Sequence, residues 1–234
     1  METSDLVLAR GMRDTRATLA RWGRQPLPVL GSWLAGATAI SLLLLTAVLV
    51  VASIVEPDLG FDYVPVAPEG PDLHRVLEVM GRNSLVLALH AFACVAGFIA
   101  GSSLPLSAAR RSGISRVVHE KARPIAFAWV IGVTSFSLIT QAFALGLTGS
   151  TLAHTLAISP GLLVLTALPH GLLELTAVFL PLAAWTIASR RNEWDQLLAA
   201  TVVTVTMAIP MLLVSAAWEV HVWPHLLEAV SPVS

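Results

Sequence analysis

Five long apolar runs, separated by short polar intervals, set the pattern of this chain. They lie near 30–55, 84–106, 125–147, 161–187 and 197–222, and each reaches the ~20 predominantly apolar residues that a helix needs to cross a bilayer. The pattern predicts an all-α fold, a polytopic membrane helix bundle with five transmembrane helices. The first run is well beyond the ~7–15 residues of a secretory h-region and no small-residue cleavage site follows it, so it is expected to stay as an anchor. Residues 1–28 then form a basic, amphipathic cytoplasmic segment, 29–225 the transmembrane domain and 226–234 an outer tail.

Polar positions between the runs set the expected orientation. Arg10, Arg13, Arg16, Arg21 and Arg24 precede the first run, Arg110, Arg111, Arg116, Lys121 and Arg123 separate the second from the third, and Arg190 and Arg191 follow the fourth. The alternate intervals differ: the first carries Glu56, Asp58, Asp62, Glu69 and Asp72, and Thr148 to Ser159 has His154 as its one ionisable residue. Positive charge stays on the cytoplasmic side, so the N-terminus is expected inside and, after an odd number of crossings, the C-terminus outside. Trp33, Trp129, Trp185 and Trp194 at the inner ends and Trp218 and Trp223 at the outer end fit an aromatic belt. In the first segment Leu8, Met12, Leu19 and Trp22 share one side of a helical wheel and Arg10, Arg13, Arg21 and Arg24 the other, as in a basic helix on an anionic leaflet. Pro26 and Pro28 are expected to end that helix.

Composition agrees with a membrane chain: 56% of residues are hydrophobic and 12% charged, with a mean hydropathy of +0.76. A net charge of −1 hides the segregation just described. The single cysteine, Cys94, excludes an internal disulfide and a thiolate metal cluster. The intervals are too short to bury a separate catalytic domain, so any chemistry belongs to the bundle or to another chain. No nucleic-acid partner is expected; the lipid bilayer is.

Inside the runs, small and polar residues fall in stripes. Asn83, His90, Gly97 and Gly101 share an arc of the second run; Gly97 and Gly101 have the G-x-x-x-G spacing that admits another helix, within the monomer or in a homo-oligomer. Thr134, Ser137 and Gln141 line the third run, Thr166, Ala167, His170, Glu174, Ala177 and Pro181 the fourth, and Thr201, Ala208, Ser215 and Glu219 the fifth. At ~1.5 Å of rise per residue, His90 and Gln141 lie ~9 Å from the outer boundary, His170 ~13 Å and Glu174 ~20 Å, with Asn83 and Glu219 near the surface. The expectation is a polar intramembrane network of Asn83, His90, Gln141, His170, Glu174 and Glu219 in the outer half of the bundle, around a cavity floored by Glu174. Pro169, Pro181 and Pro210 add kinks that free backbone carbonyls.

His170 and Glu174 carry the sharpest signal, two ionisable groups one helical turn apart inside an apolar run. Three chemistries compete for them. As a neutral acid or ion pair they lock helices together. As zinc ligands with His90 and Glu219 they make an intramembrane metal-dependent hydrolase, with His170 and Glu174 as catalytic residues. As a proton path they make a proton-coupled transporter, although five runs show no internal repeat of the kind many transporters use. No serine nucleophile with an evident base is visible.

The same residues resemble the stage II sporulation protein M family of bacterial and archaeal membrane proteins. The resemblance rests on Asn83 ahead of Ala96-Gly97-Phe98-Ile99-Ala100-Gly101, on Pro169-His170-Gly171-Leu172-Leu173-Glu174-Leu175-Thr176-Ala177, and on Ala216-Ala217-Trp218-Glu219. It covers roughly residues 30 to 225. An Asn-Gly pair often found in the family is replaced here by Gln141-Ala142-Phe143-Ala144-Leu145-Gly146. The resemblance implies a five-span protein of the cell membrane, in sporulating members a scaffold that recruits and localises cell-wall hydrolases, with Asn83, His170, Glu174 and Glu219 as the residues that correspond. A scaffold or assembly factor whose partners are other envelope proteins, cell-wall hydrolases among them, is therefore the first functional expectation. It needs no cofactor; zinc enters only with the hydrolase alternative.

Overall fold

The computed structural model describes residues 7–60, 68–103 and 114–233, with side chains described except at 7–10, 102–103, 114–127 and 129. Asp62, Arg110 and Arg111 and the end of the second run at 104–106 lie outside the described residues. So do the side chains of Leu8, Arg10, Arg116, Lys121, Arg123 and Trp129. The order of elements is α1 (Val7–Trp22), α2 (Pro26–Ile54), α3 (Leu73–Phe98) continued by a π-helical turn (Ile99–Ser103), α4 (Ile114–Thr155), α5 (Pro160–Arg191), a 3₁₀ turn (Trp194–Gln196), α6 (Leu197–His221) and α7 (Trp223–Val230). No strand occurs among the described residues. Five helical segments are long and apolar enough to cross a membrane: Pro26–Ile54, Leu73–Gly101, Val130–Thr155, Pro160–Arg191 and Trp194–Val230. Leu43, Phe136, Phe143, Leu165 and Val214 stand exposed on them, an apolar surface that suits lipid rather than water.

Helix ends follow local chemistry. Pro26 and Pro28 begin α2 instead of standing in a linker, because a missing N–H costs nothing in the first turn. Asp72 caps α3, its Oδ1 accepting from the Arg75 N–H at 2.9 Å, and Ser159 caps α5 through the Leu162 N–H at 3.2 Å. At the other ends, Ala157 and Asn192 adopt positive φ of 53° and 60°. There Ile158 N–H reaches the Ala153 carbonyl and Glu193 N–H the Ala188 carbonyl, the 6→1 bonds of a Schellman motif.

Two helices are longer than expected. Leu73 to Arg82, expected as part of a polar interval, is helical because Val76, Val79 and Met80 form an apolar face against Ala216 and Val220 of α6. The stretch Thr148 to Thr155, expected as part of the interval that ends at Ser159, continues α4; tertiary packing overrides weak propensity there.

The chain divides into two compact units. The first comprises Met1–Ala37, Val86–Thr134 and Phe179–Ala208. In it α1 packs through small residues: Gly11 lies against Phe98 and Leu198, and Thr18 is buried whereas Met12 is 70% exposed. The side of α1 that meets protein is therefore that of Gly11 and Thr18, because close approach favours small side chains, and Met12 lies off it. Trp22 and Trp33 meet edge to face, centroids 5.1 Å apart. Trp33, Trp185 and Trp194 are buried in protein, so these three are packing residues and not part of a lipid-facing belt. Cys94 Sγ donates to the Pro181 carbonyl at 3.0 Å.

The second unit comprises Thr38–Leu85, Ser135–Val178 and Ile209–Ser234. Gly146 of α4 lies against Val51 of α2, where an added Cβ would come within 2.5 Å of a Val51 methyl. Ser150 Oγ donates to the Val55 carbonyl at 2.7 Å, and Asp58 N–H to Thr151 Oγ1 at 3.0 Å. In the stretch read as a tail from 226 onward, residues 226–230 complete α7 and the chain docks back: Leu227 is buried with Leu152, Ala153, Leu156 and Leu163, and Ser231 Oγ donates to the Leu156 carbonyl at 2.9 Å.

Candidate functional site

Helical spacing builds the polar cluster of the second unit. Residues four apart share a face, so α5 presents His170 with Glu174 and α6 presents Ser215 with Glu219, while α3 brings Arg82 and Asn83. Ser215 is fully buried; its Oγ donates to the His170 carbonyl oxygen at 3.0 Å and stands 3.3 Å from Glu174 Oε2. One hydroxyl proton serves these two acceptors in turn, unless Glu174 carries a proton and itself donates to Ser215 Oγ. The Asn83 side chain also hydrogen-bonds Glu174, and Glu219 and Arg82 lie close enough to act on its charge. Arg82 Nη2 is 3.8 Å from Glu219 Oε1, with the arginine side chain 68% exposed, so this pair holds little energy.

The His170 imidazole is buried beside Trp223, ring centroids 5.0 Å apart and planes at 52°. Among the described residues its Nδ1 has no hydrogen-bond partner. Trp223 Nε1 donates to Thr166 Oγ1 at 3.2 Å, and Thr166 Oγ1 to the Leu163 carbonyl at 2.8 Å, so the indole that covers the histidine is held by α5, the helix that carries His170. Nearby, His221 Nδ1 donates to the Ala217 carbonyl at 3.0 Å and Nε2 accepts from the Asp72 N–H at 3.1 Å. Only the Nδ1–H tautomer satisfies both bonds.

Chemically, the arrangement joins helices. Ser215 meets the backbone of His170 and not its imidazole, so the two side chains do not form the Ser–His pair of nucleophilic catalysis. Among the described residues no group of three or more His, Cys, Asp or Glu stands close enough to hold a metal ion. The four residues considered for zinc, His90, His170, Glu174 and Glu219, therefore do not converge as a ligand set.

Of the residues singled out from the sequence, Asn83, His170, Glu174 and Glu219 come together in the second unit. His90 belongs to the first unit, buried edge-on to Phe179 at a centroid distance of 5.2 Å. Gln141 turns to its own helix, Nε2 donating to Ser137 Oγ at 2.9 Å. Gly97 and Gly101 admit indole rings: Gly97 faces Trp185 and Leu197, Gly101 faces Trp194. Two members of the cluster were missed. Arg82, the cation next to Asn83, is not singled out by the sequence pattern, and Trp223 is expected there at the lipid interface, because the turn that returns it to His170 has no sequence signature.

No curated protein and no solved structure matches the chain. The family model of Stage II sporulation protein M matches residues 114–224, a stretch that holds α4, α5 and α6 with His170, Glu174, Ser215 and Glu219 but leaves out Asn83, Gly97 and Gly101. Over that segment, just under half of its length, the chain is similar to the Stage II sporulation protein M family.

Proposed function

We propose that this membrane protein is a scaffold or assembly factor of the cell membrane that positions other envelope proteins, cell-wall hydrolases among them. The observation that carries the reading is the use made of the polar side chains. Glu174 ties α5 to Ser215 of α6 and to Asn83 of α3, and Glu219 faces Arg82. Groups that could perform chemistry serve as fasteners between helices, as suits a protein that presents fixed surfaces. The similarity of residues 114–224 to the Stage II sporulation protein M family supports the same reading, since the resemblance implies scaffolding in sporulating members. In this proposal the acidic interval around Glu56 and Glu69, both exposed, faces outward and meets the partners.

The test is in-cell crosslinking followed by purification and mass spectrometry. Wild-type protein is expected to recover a defined set of envelope proteins, and a folded Glu56→Gln/Glu69→Gln variant to recover that set several-fold less. Equal recovery by the two proteins overturns the acidic interval as the docking surface, and no defined partner from either overturns the scaffold. The same preparations, exchanged into metal-free buffer and then offered zinc, also test the hydrolase alternative. The observation in its favour is the buried His170 Nδ1, which has no hydrogen-bond partner among the described residues. About one zinc per chain, lost in a folded His170→Ala variant, would put the hydrolase first.

A further inference from the structure

At the ends of its helices the first unit has a cavity of about 340 Å³, within the range of about 300–1,000 Å³ usual for ligand sites. Arg21 from the last turn of α1 and Arg191 at the end of α5 line it, with the amide of Gln25 between α1 and α2. Trp22, Trp33 and Ile187 supply apolar wall, the two indoles locked edge to face at 84°. Glu193 lines the same cavity, yet among the described residues neither guanidinium forms an ion pair with a carboxylate. Arg21 spends one N–H on Thr18 Oγ1 at 3.3 Å, and the rest of its fork stays available.

We infer that this cavity binds the phosphate headgroup of an anionic phospholipid. Two guanidiniums without a carboxylate partner offer forked donors that match phosphate oxygens. Their place, where apolar spans give way to charged connections, is the level at which headgroups lie, and basic pockets between membrane helices take anionic lipids. The apolar share of the wall decides for a lipid over a free anion. Trp22, Trp33 and Ile187 have nothing to offer inorganic phosphate, whereas they pack against the glycerol and the first methylenes of an acyl chain.

Native mass spectrometry of the detergent-purified protein tests this, with phosphatidylglycerol and phosphatidylcholine as probes. Wild-type protein is expected to retain phosphatidylglycerol preferentially. An Arg21→Gln/Arg191→Gln variant should retain it at least about tenfold less, and Arg190→Gln, one residue away and absent from the lining, should leave it unchanged. Millimolar inorganic phosphate should fail to displace the lipid. Four results overturn the inference: equal retention of the two lipids, which needs no variant to fold; no loss in the double variant; an equal loss in Arg190→Gln, which would mark diffuse charge; or displacement by inorganic phosphate, which would mark a free-anion site.

Discussion

At the scale of single residues, Glu174 decides what holds the second unit together. Its carboxyl meets a hydroxyl from α6 and an amide from α3, contacts that glutamine can reproduce with one acceptor oxygen and one N–H₂ donor. Glu174→Gln is therefore expected to melt within about 1 kcal/mol of wild type in detergent, and Glu174→Ala to lose about 2–3 kcal/mol, because it strands Asn83 and leaves a void. A glutamine variant as unstable as the alanine variant would show that the negative charge, answered by Arg82, carries the stability. How legible these residues were depends on where their partners come from. The pairing of His170 with Glu174 is written in their spacing, and Ser215 and Asn83 sit on stripes visible in the sequence. The contact of His170 with Trp223 depends on a turn between α6 and α7, and His90 lies on the same wheel arc as Asn83 yet in another unit, because an arc records direction around a helix and not height along it.

At the scale of elements, the glycines of α3 test how helices approach. A Cβ on Gly101 would enter the Trp194 ring, and that ring is tethered, its Nε1 donating to Asn192 Oδ1 at 2.7 Å. Gly101→Ala should therefore destabilise by about 1–3 kcal/mol through overpacking. Gly132→Ala in α4, where nothing lies within 4 Å of the added methyl, should be neutral or stabilise by up to about 1 kcal/mol through helix propensity. Thermal melting of the two variants separates the effects by sign, and a destabilised Gly132→Ala with an unaffected Gly101→Ala would refute the packing. The existence of each long helix was legible because about twenty apolar residues permit little else in a membrane. Helix ends were less so. Charges at His74, Arg75, Glu78 and Arg82 disguised three amphipathic turns of α3, and Gly149 and Ser150 disguised the last turns of α4. Both stretches look like loop in the sequence because their polar side chains mask the apolar face they accompany.

At the scale of the whole molecule, the distribution of charge decides the side of the membrane on which each end lies. Five crossing segments place successive connections on alternate sides, and the basic residues before α2 and at Arg190 and Arg191 fall on connections of one parity, with Glu56 and Glu69 on the other. The positive-inside rule then predicts Arg190 in the cytoplasm and Glu69 outside. The native thiol makes the test direct: Cys94 is fully buried, and its Sγ is engaged with the Pro181 carbonyl, so an impermeant maleimide finds only an introduced cysteine. Glu69→Cys is expected to label in intact cells and Arg190→Cys only after permeabilisation. The reverse pattern would turn the protein over. It would move the acidic interval to the cytoplasm, away from any cell-wall enzyme, and place the arginine-lined cavity in the outer leaflet. The scaffold proposal depends on orientation in a way the lipid inference does not, since guanidiniums recognise phosphate in either leaflet. Labelling therefore separates the two: an inverted chain that still retains phosphatidylglycerol would keep the cavity's ligand while removing outward presentation of Glu56 and Glu69.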